Sequence, residues 1–555
     1  MLAVIQKKMV FVCFVIFGSC RHDKESGTVL SLRHESKRQK DMLVRTYSCA
    51  LMGVAAIHIA VEVSVDVGIG FHLVGLPDSA IKESQQRIET ALKNYNYRMP
   101  GRKIVVNMAP ADIRKEGSAF DLTLAVAILA ASEQIKGAGR IQDYYIMGEL
   151  SLDGTLQPIR GALPIALEAK KRGKKAIILP EQNAREAAIV QGIDILGVRE
   201  IKQVIDYFDK DVPIEPTRVD IESEFRRNLN SYEYDFSDVK GQENIKRALE
   251  IAASGGHNVI LIGPPGSGKT MLAKRLPSIL PPLTLEEALE TTKIHSVAGK
   301  MSRYASLIAV RPFRSPHHTI SDVALVGGGT HPQPGEISLA HNGVLFLDEL
   351  PEFKRQVLEV MRQPLEDRCV TISRSQYSVE FPASFMFVAA MNPCPCGNYN
   401  HPTIACTCKA GEVQNYLGKV SGPLMDRIDL HVEVVPVSHE MLASNKPTEK
   451  SADIRKRVVA AREIQKRRFA QYAKVFCNAQ MSSRMVRQFC VIDEAGQQIL
   501  KNAMDRLGLS ARAYDRILKV ARTIADLDGS ERIETWHLSE AINFRSLDRD
   551  NWGRR

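Results

Sequence analysis

A chain of 555 residues suggests three or four domains at about 150 residues each. Hydrophobic residues make up 44% and charged residues 25%, which excludes collagen-like and wholly disordered chains. The 74 Lys and Arg exceed the 64 Asp and Glu by ten, a mildly basic balance that permits a nucleic-acid or nucleotide partner without requiring one.

Residues 1–41 carry eight Lys or Arg against four Asp or Glu, so the remainder is only +6. Residues 9–18 are apolar, follow Lys7 and Lys8, and precede Ser19 and Cys20. That is the pattern of a secretory or lipoprotein signal, although the run is too short to span a bilayer. The preferred reading is a misassigned start, with translation beginning at Met42. Nothing downstream is long and apolar enough to cross a membrane.

Residues 42–208 read as a compact α/β unit. The β-branched run 57–67 predicts a strand. Asp78 predicts a helix cap, with Ile81, Ile88 and Leu92 at helical spacing up to about Lys93. Residues 103–107 predict a strand, Asp121–Ala131 an apolar helix, and 175–179 a strand ended by Pro180. Residues 209–232, charged and with little periodicity, read as a linker. Residues 233–440 hold the nucleotide motifs, and 441–555 read as charged helices.

Gly263, Pro264, Pro265, Gly266, Ser267, Gly268, Lys269 and Thr270 match G-x-x-x-x-G-K-[ST] at every fixed position. A strand-like run precedes them and a helix-forming run follows. Glycines let the loop turn its N–H groups onto phosphates, and the helix N-terminus adds its dipole. Lys269 is expected to reach the β- and γ-phosphates, and Thr270 to ligate Mg²⁺. The run from Gly343 ends in Asp348 and Glu349, 79 residues after Lys269. A buried parallel strand would deliver both carboxylates to one sheet edge. Asp348 would hold Mg²⁺ and Glu349 would polarise the attacking water. The apolar run 385–391 ends in Asn392, whose amide can hold that water or the γ-phosphate. Arg427, in the segment Ser421 to Asp429, is a candidate arginine finger. Arg512 opens a C-terminal helix and could be a second cationic sensor.

At this point a resemblance is specific. The phosphate loop, the Asp-Glu strand and the Asn-ended strand resemble those of AAA+ ATPases. Residues 235–242 resemble the segment that cradles adenine. Residues 311–318 (RPFRSPHH), 326–341 with their glycines, and 391–397 (MNPCPCG) narrow it to the magnesium-chelatase-like AAA+ ATPases of the bacterial ComM/YifB type. The match runs from Met42 to the end. It implies a multidomain α/β chain: a Lon-protease-like N-domain (ribosomal S5 domain 2-like), a P-loop AAA+ core and a C-terminal helical lid. A Lon-type protease needs a Ser nucleophile and a Lys base. The corresponding positions here are Ala119 and Leu163, with Ser118 one place off, so the N-domain reads as a non-proteolytic scaffold.

Ten cysteines in 555 residues are no disulfide framework. Cys394, Cys396, Cys406 and Cys408 form two C-x-C pairs, and four thiolates suit tetrahedral Zn²⁺ in a structural role. His401 lies between the pairs and could compete as a ligand. A reduced cysteine loop without metal is the alternative.

Arg455, Lys456, Arg457, Arg462, Lys466, Arg467, Arg468 and Lys474 make a basic helical run, read first as a solvated face. The resemblance points instead to residues 326–336 and to the turn 371–378, with Arg374 near its tip, as pore-facing DNA contacts that hold backbone phosphate without reading bases.

These readings converge on a cytoplasmic ATPase that uses ATP and Mg²⁺ to move on single-stranded or branched DNA. The resemblance implies a homohexamer and branch migration during recombination of incoming DNA. The rivals are a magnesium chelatase motor subunit, acting on a protein and a porphyrin, and an ATP-dependent protease, which Ala119 and Leu163 oppose.

Overall fold

Short apolar strands whose alternate side chains are both buried need cover on two faces. In the computed structural model five such strands form a parallel sheet, in the order Phe313–Arg314, Val344–Leu347, Met386–Met391, Val259–Ile262, Leu430–Glu433. The structure describes residues 43–229, 232–302, 306–329, 332–373, 378–399, 401, 403–437, 441, 448–473 and 475–545. The choice between a signal peptide and a start at Met42 lies outside them. Val259, Leu261, Val344, Phe346, Val388 and Ala390 face one core, which also takes in the C-terminal helices. Ile260, Ile262, Leu345, Leu347, Phe387 and Ala389 face a second core. The period of two along each strand thus splits one sheet between two apolar layers.

Residues 44–209 build a separate mixed sheet of seven strands, in the order Gly70–Val74, Lys103–Ala109, Ala55–Asp66, Val44–Met52, Tyr144–Ile146, Ala176–Pro180, Asp194–Val198. The expected strands and the helix Asp121–Ala131 are present, the latter buried along its whole length. Asp78 does cap a helix, accepting from the Ile81 N–H at 2.9 Å, but the helix breaks at Glu83 into Ser79–Lys82 and Ser84–Asn94. The turn at Gly53 between the first two strands reaches the hairpin Cys369–Ser373 with Ser378–Pro382. Gly53 has φ +61, and a Cβ there would lie 2.9 Å from Val379 Cγ1.

The segment read as a linker is not structureless. Asp220 caps the helix Ile221–Asn228, and Val219, Ile221 and Phe225 pack on an apolar cluster around Leu163 and Ile177. Its high charge density masked three apolar anchors.

Beyond residue 450 the chain is helical, as expected: Ser451–Arg468, Ser483–Phe489, Glu494–Leu507, Ala511–Leu527 and Thr535–Asn543. Gly508, at φ +65, ends one helix, and Ser510 caps the next by accepting from the Ala513 N–H at 3.3 Å. Among the described residues no helix is long and apolar enough to cross a membrane.

Candidate active site

Three neighbouring strands of the five-stranded sheet end together. Ile262 is registered with Met391, and Leu347 with Ala389. The next residues in each chain direction are therefore the Gly263 loop, Asn392 and Asp348, all at the carboxyl edge where α/β sheets bind ligands.

The loop needs its glycines. Gly266 and Gly268 have φ of +76 and +89, a region that L side chains avoid. Gly263 lies so close to Val434 that a Cβ would sit 2.2 Å from its carbonyl oxygen. The helix Lys269–Ile279 then starts at the Lys of the motif. Lys269 Nζ donates to the Gly263 and Pro264 carbonyls at 2.8 Å each and to Asn392 Oδ1 at 3.2 Å. Burial lowers its pKa, and the charges of Asp348 and Glu349 oppose that shift. Ser267 Oγ closes the loop onto Pro264 O at 2.8 Å. Thr270 Oγ1 donates to Asp348 Oδ2 at 2.6 Å, so hydroxyl and carboxylate stand side by side at the phosphate end of the loop. That is the donor set an octahedral Mg²⁺ takes alongside phosphate oxygens.

Glu349 adopts φ +52, a left-handed conformation rare for a residue with a side chain. Such strain costs on the order of 1–3 kcal/mol and concentrates at functional sites. Its N–H donates to Asp348 Oδ1 at 2.9 Å, and Oε2 lies 3.4 Å from His318 Nδ1. His318 ends the RPFRSPHH block, whose strand Phe313–Arg314 pairs beside Val344–Leu347. Sequence singled out that block without giving His318 a role. The signal available was its distance in sequence from an edge strand beside the Asp-Glu strand. Gln242, in the segment expected to cradle adenine, has φ +59 and donates to Ser267 O at 2.9 Å. A cleft of about 540 Å³ opens beside Glu349, Asn392, Pro395, Tyr416 and Lys419.

The two candidate sensor arginines are placed differently. Arg427 is buried, donates to Pro423 O at 2.6 Å and is ion-paired with Glu366. Arg512 is exposed on the first turn of Ala511–Leu527. One turn on, Arg516 pairs with Asp429.

The four cysteines converge. Their sulfurs all lie within 4.8 Å of one another, with Cys394 3.3 Å from Cys396 and 3.7 Å from Cys406. Ligands at about 2.3 Å from a tetrahedral zinc stand about 3.8 Å apart, so the donor set fits one ion. Burial works against the Cys396 thiolate, yet the N–H groups of Asn398 and Thr407 pull it down to about 5. Burial pushes Cys394 up to about 12. His401 is not part of the cluster, and its Nδ1 accepts from the Thr403 and Ile404 N–H groups.

Of the basic helix, Arg457 pairs with Glu250 and Glu449, Arg468 with Asp526, and Arg462 donates to Ala253 O. These three cations hold the helix to its neighbours, while Lys456, Lys466 and Arg467 are exposed, as a solvated face would have them. Lys474 and Arg374 lie outside the described residues. The hairpin that carries Arg374, Cys369–Ser373 with Ser378–Pro382, is described on both arms. Gly327 and Gly328 pair with Pro334 and Gln333 in a second hairpin, and a Cβ on Gly327 would lie 3.2 Å from Ile372 of the first.

In the N-terminal sheet, Ala119 and Leu163 pack in one apolar cluster. Ser118 donates to Glu149, and Lys115 to Pro110 O. Neither the serine nor the lysine is paired with the other.

Comparison with known proteins covers nearly all of residues 61–545. The family described as "Magnesium chelatase, subunit ChlI" matches residues 235–442, "Subunit ChlI of Mg-chelatase" residues 61–183, and "Magnesium chelatase, subunit ChlI C-terminal" residues 448–545. YifB of Escherichia coli (strain K12) is 44% identical over 503 residues, covering 90% of this chain and 96% of that one. Competence protein ComM of Haemophilus influenzae is 42% identical over 508 residues, covering 91% and 98%. Lon protease 2 of Bacillus subtilis is 32% identical over 159 residues, 26% of this chain and 27% of its own.

Proposed function

This chain belongs to the magnesium-chelatase-like AAA+ ATPases of the ComM/YifB type, and on that premise we propose that it is a cytoplasmic ring motor that hydrolyses ATP to move single-stranded or branched DNA. The observation that carries the chemistry is the meeting of Lys269, the Thr270–Asp348 pair, Glu349 and Asn392 at one sheet edge.

Lys269 and the loop amides bind the triphosphate. Thr270 and Asp348 would hold Mg²⁺, which when bound neutralises charge on the phosphate oxygens. Glu349 orients a water and takes its proton, while Asn392 positions that water against the γ-phosphate. Arg427, supplied by a neighbouring copy in a homohexamer, stabilises the charge that develops in transfer. The four cysteines would hold one structural zinc. The N-terminal sheet serves as a scaffold, since Ala119 and Leu163 offer neither nucleophile nor base.

The DNA part rests on the paired hairpins at Gly327 and Cys369 and on the relative named competence protein ComM. ATP turnover measured with and without single-stranded or branched DNA tests it. DNA is expected to raise turnover. Hydrolysis that DNA leaves unchanged would remove DNA as the cargo and favour a protein-directed motor of the chelatase kind.

A further inference from the structure

The four-cysteine loop does not stand apart from the nucleotide site. Cys394 follows Asn392 by two residues, and Asn392 Oδ1 accepts from Lys269 Nζ at 3.2 Å. On its other side the loop turns tightly, with Gly397 N–H donating to Cys394 O at 3.0 Å. Gly397 has φ +81, and a Cβ there would lie 2.4 Å from Pro265 Cδ and 2.9 Å from Cγ. Real carbons do not approach so closely. The cysteine loop therefore lies flush against the third residue of the phosphate loop, and only glycine allows it. Tyr399 N–H donates to Cys394 Sγ at 3.3 Å and Cys396 N–H to Cys408 Sγ at 3.3 Å, so the backbone of the first arm is tied to a sulfur of each pair.

We propose that the zinc-loaded cysteine centre sets ATP affinity, by bracing the phosphate loop at Pro265 and fixing Asn392 against Lys269. A loop rich in glycine must be held in its phosphate-binding shape before ligand arrives, and the ordering cost falls on affinity if it is not. Zinc would join the Cys394/Cys396 pair to the Cys406/Cys408 pair, whose four sulfurs lie within 4.8 Å of one another. Removing it frees both contacts at once. The inference rests on the nucleotide reading above, and it adds a dependence that reading does not contain.

The test uses the full chain and a fluorescent ATP analogue in equilibrium binding, with zinc content measured on the same samples. Zinc-loaded protein is expected to bind the analogue. Stripping zinc with a chelator under reducing conditions should weaken binding by about tenfold or more, and returning zinc should restore it. Gly397→Ala should keep about one zinc per chain, because no sulfur is altered, yet bind the analogue about tenfold more weakly. Far-UV circular dichroism confirms that the stripped protein and the variant stay folded. If Gly397→Ala fails to fold, the strip-and-restore series on the natural chain decides alone. Unchanged affinity after zinc loss would overturn the proposal, as would a chain that never holds zinc yet binds ATP. A zinc-loaded chain that binds no ATP would overturn the nucleotide reading itself.

Discussion

Arg427 is held inside its own chain by Glu366, with Nη1 also donating to Pro423 O at 2.6 Å. A guanidinium that serves a neighbour's phosphate must leave that carboxylate. Glu366 sits on Arg362–Asp367, the helix that leads directly into the hairpin strand Cys369–Ser373. The pair thus connects the candidate finger to the hairpin proposed to meet DNA. Arg427→Ala is expected to lower turnover by roughly 10³–10⁵ and leave nucleotide affinity mostly intact. Glu366→Gln, which keeps the shape and removes the charge, is expected to raise turnover without DNA and shrink the DNA effect. Mixing Arg427→Ala with Lys269→Ala chains checks the trans arrangement. Interfaces that pair an intact Lys269 with an intact Arg427 should regain activity, and mixed rings that stay inactive would count against it.

Lys269 and Glu349 separate binding from chemistry. Lys269→Ala removes the fixed cation of the phosphate loop and the bond to Asn392. It should abolish ATP binding. Glu349→Gln leaves Lys269, Thr270 and Asp348 in place, so it should bind ATP and fail to hydrolyse it. Equilibrium binding beside single-turnover hydrolysis distinguishes the two, and normal turnover by Glu349→Gln would remove that carboxylate from the mechanism.

His318 touches the proposed base from a loop that runs on to the hairpin at Gly327. Its Nδ1 is 3.4 Å from Glu349 Oε2, and its ring stands edge-on to Phe353 at 6.4 Å. A contact that draws Glu349 aside should hold back hydrolysis and not binding. His318→Ala is therefore expected to raise DNA-free kcat severalfold with KM for ATP unchanged. A shift in KM with kcat constant would assign His318 to binding instead.

Much of the site was legible because its chemistry is local in sequence. The phosphate loop needs glycines and Lys269 at fixed spacing, and a strand that ends in Asp348 and Glu349 announces itself by apolar run and charge. What sequence could not give was pairing across long separations. Arg427 with Glu366 joins positions 61 apart, and His318 with Glu349 joins 31. The helix Ile221–Asn228 was read as linker because charged residues dominate it, while Val219, Ile221 and Phe225 do the packing. The basic run on Ser451–Arg468 carried the opposite ambiguity. Only the positions of Glu250, Glu449 and Asp526 show that Arg457 and Arg468 are ion-paired, while Lys456 and Lys466 face solvent.

The helix bearing Arg512 is fixed to the sheet through Asp429. Asp429, which precedes the strand Leu430–Glu433, is buried and accepts from Arg516 through Oδ1. Oδ2 accepts from Asn258 N–H at 3.1 Å and faces His257 Nδ1 at 3.3 Å. Burial disfavours the Asp429 charge, but Arg516 and the His257 contact more than offset it and hold the carboxyl well below its usual range. Arg516→Met would keep the apolar stem and leave a buried carboxylate with weaker partners, which costs about 3 kcal/mol. The pH dependence follows from the sign of the shift. A carboxyl whose folded pKa lies below its unfolded value of about 3.9 contributes stability that is fully present above about pH 5 and lost as pH falls below it. The gap in urea midpoint between the natural chain and Arg516→Met should therefore be constant from about pH 5 to 8 and narrow towards pH 3. Adding Asp429→Asn to Arg516→Met removes the uncompensated charge and should recover part of the loss. A double variant as unstable as Arg516→Met alone, with a gap independent of pH, would show that Arg516 holds the helix by packing and not by its charge.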